Sequence, residues 1–314
     1  MASRWSARSS AGGVVAGKKF LMDQETGMVE NRMFPSCAAV AAARGRGRRS
    51  NALLGICMKL SGKRLLITGA SSGIGAATAE AAARRGVELA LVARSVDKLE
   101  SVAARIRQGG GSVTTHAYDV CDAEQVARLA GEVPSPDVLF NNAGAGKWKP
   151  MLETEPAEAA AMMAAPYLAA FYTTRAFLPG MIARGSGVCA FMNSAASRLV
   201  WPGATGYIAA RWAVRGLFES VRMETAGTGV RAAMATFAKV SSEYWENNPG
   251  SEAHIPPVQR MVPVLSPSQV ADAILDGLAA EREEIVAPWQ LRMFFLADRL
   301  FPATVRWQMR SKEK

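Results

Sequence analysis

The feature that most constrains this chain is residues 68–75, TGASSGIG, because of what flanks it. Residues 64–67 (RLLI) are a short β-prone apolar run, and residues 76–85 (AATAEAAARR) are rich in strong helix formers. The glycines therefore occupy a strand-to-helix turn. Gly69 allows a tight turn. Gly73 lets the backbone approach a pyrophosphate at the helix N-terminus, where unpaired N–H groups and the helix dipole favour an anion. Gly75 lets the helix pack close to a sheet. Ser71, Ser72 and Ile74 lie between them on the same turn. A tight βα turn with no ligand is the plainer alternative; the strand before and helix after favour a nucleotide.

The remaining chain repeats the strand-then-helix pattern. Strands are expected at 87–93, 112–118, 138–140, 187–192, 230–236 and 284–286. Helices are expected at 96–108, 123–132, 154–184, 204–226 and 267–280. Strands at this spacing with helical crossovers imply an α/β fold, a single doubly wound Rossmann-type domain. Its parallel seven-stranded sheet is flanked by helices. Ligands of such sheets bind at the C-terminal strand ends, near the switch point. Both TGASSGIG and NNAG at 141–144 fall there.

Three segments are expected: 1–57, a disordered basic extension; 58–288, the dinucleotide-binding domain with a substrate lid at 239–265; and 289–314, an amphipathic tail. The net charge is +10, but residues 1–57 carry nine Arg and Lys against three acids. The other 257 residues hold only +4, which argues against a nucleic-acid partner. The extension reads as an organelle transit peptide, a basic arm, or an upstream extension of the reading frame before Met58 (MKLSGKRLLITGA). The last is preferred. Cys37, Cys57, Cys121 and Cys189 form no CxxC pair and there are two histidines. No metal site or disulfide framework is expected, and a reducing, cytoplasmic setting is, with an organelle as the alternative.

Together, TGASSGIG, NNAG, Ser194 at the end of the fifth strand and Tyr207 thirteen residues later resemble the short-chain dehydrogenase/reductase family over about residues 60–290. The resemblance implies a nicotinamide cofactor and homodimers or homotetramers packed through two long helices. It assigns cofactor contacts to Gly69, Ser71, Ser72, Gly73, Ile74 and Gly75. It adds Asp119 and Val120 beside the adenine, Asn141, Ala143 and Gly144 along the sheet, and Val240 and Ser242 at the nicotinamide. For Asn141 a purely structural role competes. The residues themselves argue the cofactor's type. The second strand ends Val92–Ala93–Arg94, with no acid to accept from the adenosine ribose. Arg94 offers a planar cation suited to a 2′-phosphate, so NADP(H) is preferred to NAD(H). A solvated surface charge is the plainer reading of Arg94.

The resemblance makes Tyr207 the general acid and base, with Ser194 bonding the substrate oxygen. The family's lysine is Arg211 here, in YIAAR. Four residues on, it shares a helix face with Tyr207. It keeps the charge that favours tyrosinate, in a forked group that stays protonated. Tyr207 and Arg211 are also cofactor contacts in the family. The family's helix asparagine falls on Pro166, and its Pro-Gly after the sixth strand on Phe237–Ala238. Proline there would free the Met162 carbonyl. Two readings follow: an NADP(H)-dependent oxidoreductase interconverting a carbonyl and an alcohol, or a weakly active or inactive relative that binds a nucleotide or a partner.

Tyr244, Trp245, Ile255, Met261 and Val262 in the lid, with Trp148 and Trp201, suit a hydrophobic carbonyl compound of the lipid, steroid or aromatic ketone class. Packing of the lid onto the body is equally compatible. In the tail, Trp289, Phe294, Phe295, Phe301 and Trp307 interleave with Arg292, Arg299, Arg306 and Arg310, and Pro302 divides it into two pieces. Contact with a membrane surface, a subunit contact and packing on the body all stay open.

Overall fold

The computed structural model describes residues 58–310. Expectations for residues 1–57 and 311–314 lie outside the described residues. Seven strands, β1 (Arg64–Thr68), β2 (Glu88–Ala93), β3 (Val113–Ala117), β4 (Val138–Asn141), β5 (Gly187–Ser194), β6 (Val230–Phe237) and β7 (Glu284–Ala287), form one sheet in the order β3-β2-β1-β4-β5-β6-β7. Every pairing is parallel. The chain winds outward from β1 to β3, then crosses back to β4. The β1–β4 pair, with Ile67 opposite Phe140, is therefore the switch point.

Alternation along the strands fills two cores. Leu65, Ile67, Leu91 and Phe140 face α1 (Gly73–Arg84), α2 (Val96–Gln108) and α7 (Pro267–Ala279). Leu66, Val92, Leu139 and Phe191 face α3 (Ala123–Glu132), α5 (Ala169–Arg184) and α6 (Thr205–Glu224). Both faces are covered, so the middle of the central strands β1 and β4 is an unbroken apolar run with no polar alternation.

The long helix expected at 154–184 is broken. α4 (Pro156–Met163) and α5 are joined by a π-type turn, Ala164–Leu168. Pro166 has no N–H to donate, and its ring pushes the preceding residue out of helical space. Ala165 sits at φ −128°, ψ 108°. Its carbonyl turns outward and accepts from the Ala145 N–H at 3.3 Å.

Residues 239–265 follow β6, and the two ends of the segment pair with each other at the Val240–Leu265 bridge. The tail forms α8 (Trp289–Leu300) and α9 (Pro302–Arg310), divided before Pro302. Leu291, Phe295, Val305 and Met309 pack with Leu199 of the body. No helix among the described residues is long and apolar enough to cross a membrane.

Candidate active site

One cavity of about 1080 Å³ lies over the C-terminal strand ends. It is lined by Gly69, Ser71, Ser72, Gly73, Ile74, Arg94, Asp119, Val120, Ala143, Gly144, Ser194, Tyr207, Arg211, Val240 and Ser242. Of the cofactor and catalytic residues picked from the sequence, Gly75 and Asn141 stand off it, and of the aromatic and aliphatic residues picked for the substrate side, Met261 does, being 68% exposed.

At the α1 end, Gly69 (φ 65°) and Gly73 (φ 53°) adopt the left-handed backbone that side chains resist. A Cβ on Gly73 would meet only Ser242, at 3.7 Å, so the turn is an open cradle. The N-cap Ser72 makes no side-chain cap bond, and the first turn holds no acid. The first N–H groups of α1 thus have no acceptor within the helix, and Gly73 and Ile74 of that turn line the cavity. These residues fit a dinucleotide's pyrophosphate. Gly75 works behind them: a Cβ there would lie 2.3 Å from the Gly69 carbonyl and 2.7 Å from Asn142 Nδ2.

Asn141, expected along the cofactor, is instead buried under α5. Its amide donates to Thr174 Oγ1 at 3.1 Å, and its carbonyl accepts from Thr173 Oγ1 at 2.5 Å. The neighbouring Asn142 lines the cavity, and its amide donates to the Thr68 and Gly69 carbonyls at 3.0 and 3.1 Å. Thr68 Oγ1 accepts from the Asn142 and Ala143 N–H groups, both at 3.0 Å. This lattice fixes the glycine turn against the end of β4. At the far edge, Arg94 is 78% exposed and lies 3.7 Å from Asp119. Burial, and then Asp119, push the neighbouring Cys121 thiol up to about 11.

At the β5–α6 end, Ser194 ends its strand and Tyr207 and Arg211 lie one turn apart on α6. Both side chains are buried. The Arg211 guanidinium stands over the Tyr207 ring, with Cζ 5.0 Å from the centroid, and Nη1 donates to the Met192 carbonyl at 3.3 Å. Arg211 Nε is buried with no hydrogen-bond partner. Gly144 leaves room for this group, since a Cβ there would come within 3.1 Å of Nη2. Asn193 holds the helix to the strand by donating to the Arg211 carbonyl at 3.2 Å.

Aromatic rings close over Tyr207. Trp148 lies 5.1 Å from it by ring centroids and Tyr244 6.3 Å. The Tyr244 hydroxyl donates to the Gly146 carbonyl at 2.7 Å and accepts from the Trp148 indole N–H at 3.0 Å. Burial, followed by the nearby Tyr207 phenol, holds the Tyr244 pKa well above the ordinary phenol value. Leu199, Trp201, Leu291, Phe294 and Met309 complete this wall. Sequence reading gives Asn142 only as part of the NNAG segment, and it does not single out Gly146, Asn193, Leu291 or Met309 for the site.

A family profile described as short chain dehydrogenase matches residues 63–252. The chain belongs to the short chain dehydrogenase family. A solved alcohol dehydrogenase of Thermococcus sibiricus, complexed with 5-hydroxy-NADP, is 32% identical to this short chain dehydrogenase, with a TM-score of 0.64. The match covers 72% of this chain and 95% of the archaeal one. Rat estradiol 17-beta-dehydrogenase 11 is 27% identical over 77% of this chain and 81% of its own. Glycine betaine reductase ATRR of Emericella nidulans is 34% identical over 70% of this chain, which spans only 18% of that much longer protein.

Proposed function

We propose that this short chain dehydrogenase is an NADP(H)-dependent oxidoreductase that interconverts a carbonyl and an alcohol on a hydrophobic substrate. The observation that carries the reading is a single cavity with Ser194, Tyr207 and Arg211 at one end and Arg94 at the other. Bound NADP(H) supplies or takes up the hydride. Tyr207 gives its proton to the carbonyl oxygen in reduction and removes the hydroxyl proton in oxidation. Ser194 Oγ donates a hydrogen bond to the same oxygen. Arg211, over the ring face, holds the ring and replaces the family's lysine in charge.

Arg94 is proposed to hold a 2′-phosphate through its forked guanidinium, with Asp119 restraining it. The end of β2 offers no acid to a free ribose hydroxyl. The archaeal relative, complexed with 5-hydroxy-NADP, supports the same choice. For the substrate, the aromatic and aliphatic wall supports a lipid, steroid or aromatic ketone, a class that includes the substrate named for the rat relative. A homodimer or homotetramer through α5 and α6 is also proposed, supported by the exposed Phe171 and Trp212 on those helices.

The test is a fluorescence titration with NADPH and NADH, then turnover of hydrophobic ketones by the wild type and Tyr207→Phe. Saturable binding that prefers NADPH, and turnover lost in Tyr207→Phe, are expected. A preference for NADH overturns the role of Arg94. Equal turnover by both proteins overturns the mechanism. No binding by the folded chain favours a non-catalytic interaction protein.

A further inference from the structure

The outward side of α8 carries an apolar row that packing on the body does not use. Trp289, Met293, Leu296 and Leu300 follow at i, i+4, i+7 and i+11. At about 100° per residue, they fall within roughly 60° of arc. All four are exposed, from 46% at Leu296 to 68% at Trp289. Leu291 and Phe295, on the other side of the helix, are buried against Leu199. The row continues through the exposed Phe301 to Trp307 on α9, while Val305 and Met309 turn inward. Single exposed apolar residues are ordinary, but a contiguous row along two helices marks a contact surface.

The charges beside the row indicate what it contacts. Arg292, Arg299, Arg306 and Arg310 are exposed, and Asp298 is the one acid between residues 289 and 310. By the same helical spacing, Arg292 and Arg299 lie together on one flank of the row. Long arginine stems can lie along an apolar layer while their heads reach anions above it, and tryptophan favours such a boundary. A two-fold contact between copies of this hairpin would bring its arginines toward one another, with one aspartate in each hairpin to offset them. The hairpin also contributes Leu291, Phe294 and Met309 to the wall of the cavity.

We propose that α8 and α9 lie flat on an anionic phospholipid surface. The row from Trp289 to Trp307 enters the acyl boundary, and the four arginines meet the head-group phosphates and carboxylates. The cavity wall is then the part of the body nearest the lipid. This docking goes beyond the catalytic reading and does not rest on it.

The experiment is flotation of the full chain with two kinds of vesicle. One is phosphatidylcholine with about one-third phosphatidylserine, and the other is phosphatidylcholine alone. Wild type is expected to float with the anionic vesicles. In Met293→Glu combined with Leu300→Glu, the bound fraction is expected to fall about tenfold. Circular dichroism checks that this variant is folded. Brominated lipid supplies a second measurement that needs no such variant. It should quench tryptophan emission of the wild type, and Trp289→Phe should lose much of that quenching. Failure of the wild type to float overturns the proposal. So does equal flotation of the glutamate variant, which would assign lipid binding to another part of the chain. Dissociation of a dimer by the glutamates, with neither protein floating, would assign the row to a second copy.

Discussion

The Arg211 guanidinium lies over the ring of Tyr207, 5.0 Å from its centroid, while Arg211 Nη1 is tied to the Met192 carbonyl. A cation on a π-face holds the ring by attraction to its quadrupole, and here it puts a positive charge beside the phenol. A lysine at 211 restores the family's ammonium four residues after Tyr207, so Arg211→Lys is expected to preserve or raise turnover. Arg211→Met should lower kcat about 100-fold, the scale of a lost acid–base aid. Measuring kcat at saturating NADPH separates this effect from weaker cofactor binding. Unchanged kcat in Arg211→Met would remove Arg211 from the chemistry.

Gly146 sets where Tyr207 can stand. A Cβ there would lie 2.5 Å from Tyr207 Cδ2, well inside contact distance. Gly146→Ala should displace the ring from Arg211 and Ser194. A misplacement of about 1 Å can cost roughly 100-fold in rate. The expected result is a large loss of kcat with NADPH affinity nearly unchanged, because Gly146 lies beyond the cofactor turn. A wild-type kcat would show that Tyr207 need not hold this position.

Arg94 makes one exposed ion pair with Asp119 within the protein, worth little to the fold. Its weight should fall on the cofactor. A charge-assisted bond of about 2 kcal/mol corresponds to roughly a 30-fold change in affinity. Arg94→Ala should weaken NADPH binding by about that factor and leave NADH binding unchanged, as parallel titrations would read. Equal weakening of both cofactors would mean that Arg94 does not recognise the 2′-phosphate.

What the sequence discloses here is local. The βα turn at Gly69–Gly75 identifies itself because strand, glycines and helix are adjacent in the chain. The division of the tail is visible at Pro302 for the same reason. Pro166 signals a break but not its form, since the π-type turn depends on Ala145 being there to take the Ala165 carbonyl. Asn141 ends β4 and Asn142 follows it, and the two side chains go to different places, one under α5 and one to the cavity. Which one reaches the cavity depends on how β4 docks on β1, a relation across more than 70 residues. The same holds for the Trp148–Tyr244 bond and for the cavity contacts of Phe294 and Met309. Each joins segments that no pattern within the sequence brings together.

Asp137 gives a prediction in pH. It precedes β4 and accepts from the Arg64 N–H at 2.9 Å and from Lys63 Nζ at 3.2 Å, pinning the start of β1 beside β4. Burial disfavours its charged form, but the Arg64 amide and the Lys63 ammonium outweigh burial and hold its pKa below the ordinary carboxylate value. A carboxylate whose pKa is lower folded than unfolded binds fewer protons in the native state. Its contribution is therefore full above the unfolded value of about 3.9 and is lost as pH falls through the lower folded value. Asp137→Asn should destabilise the protein by about 1 kcal/mol at pH 7, seen as a lower Tm. The gap to wild type should narrow steadily as pH drops below about 4. A gap that holds constant down to the acid limit would mean that the interaction is one of shape and neutral hydrogen bonding, with no part played by the charge on Asp137.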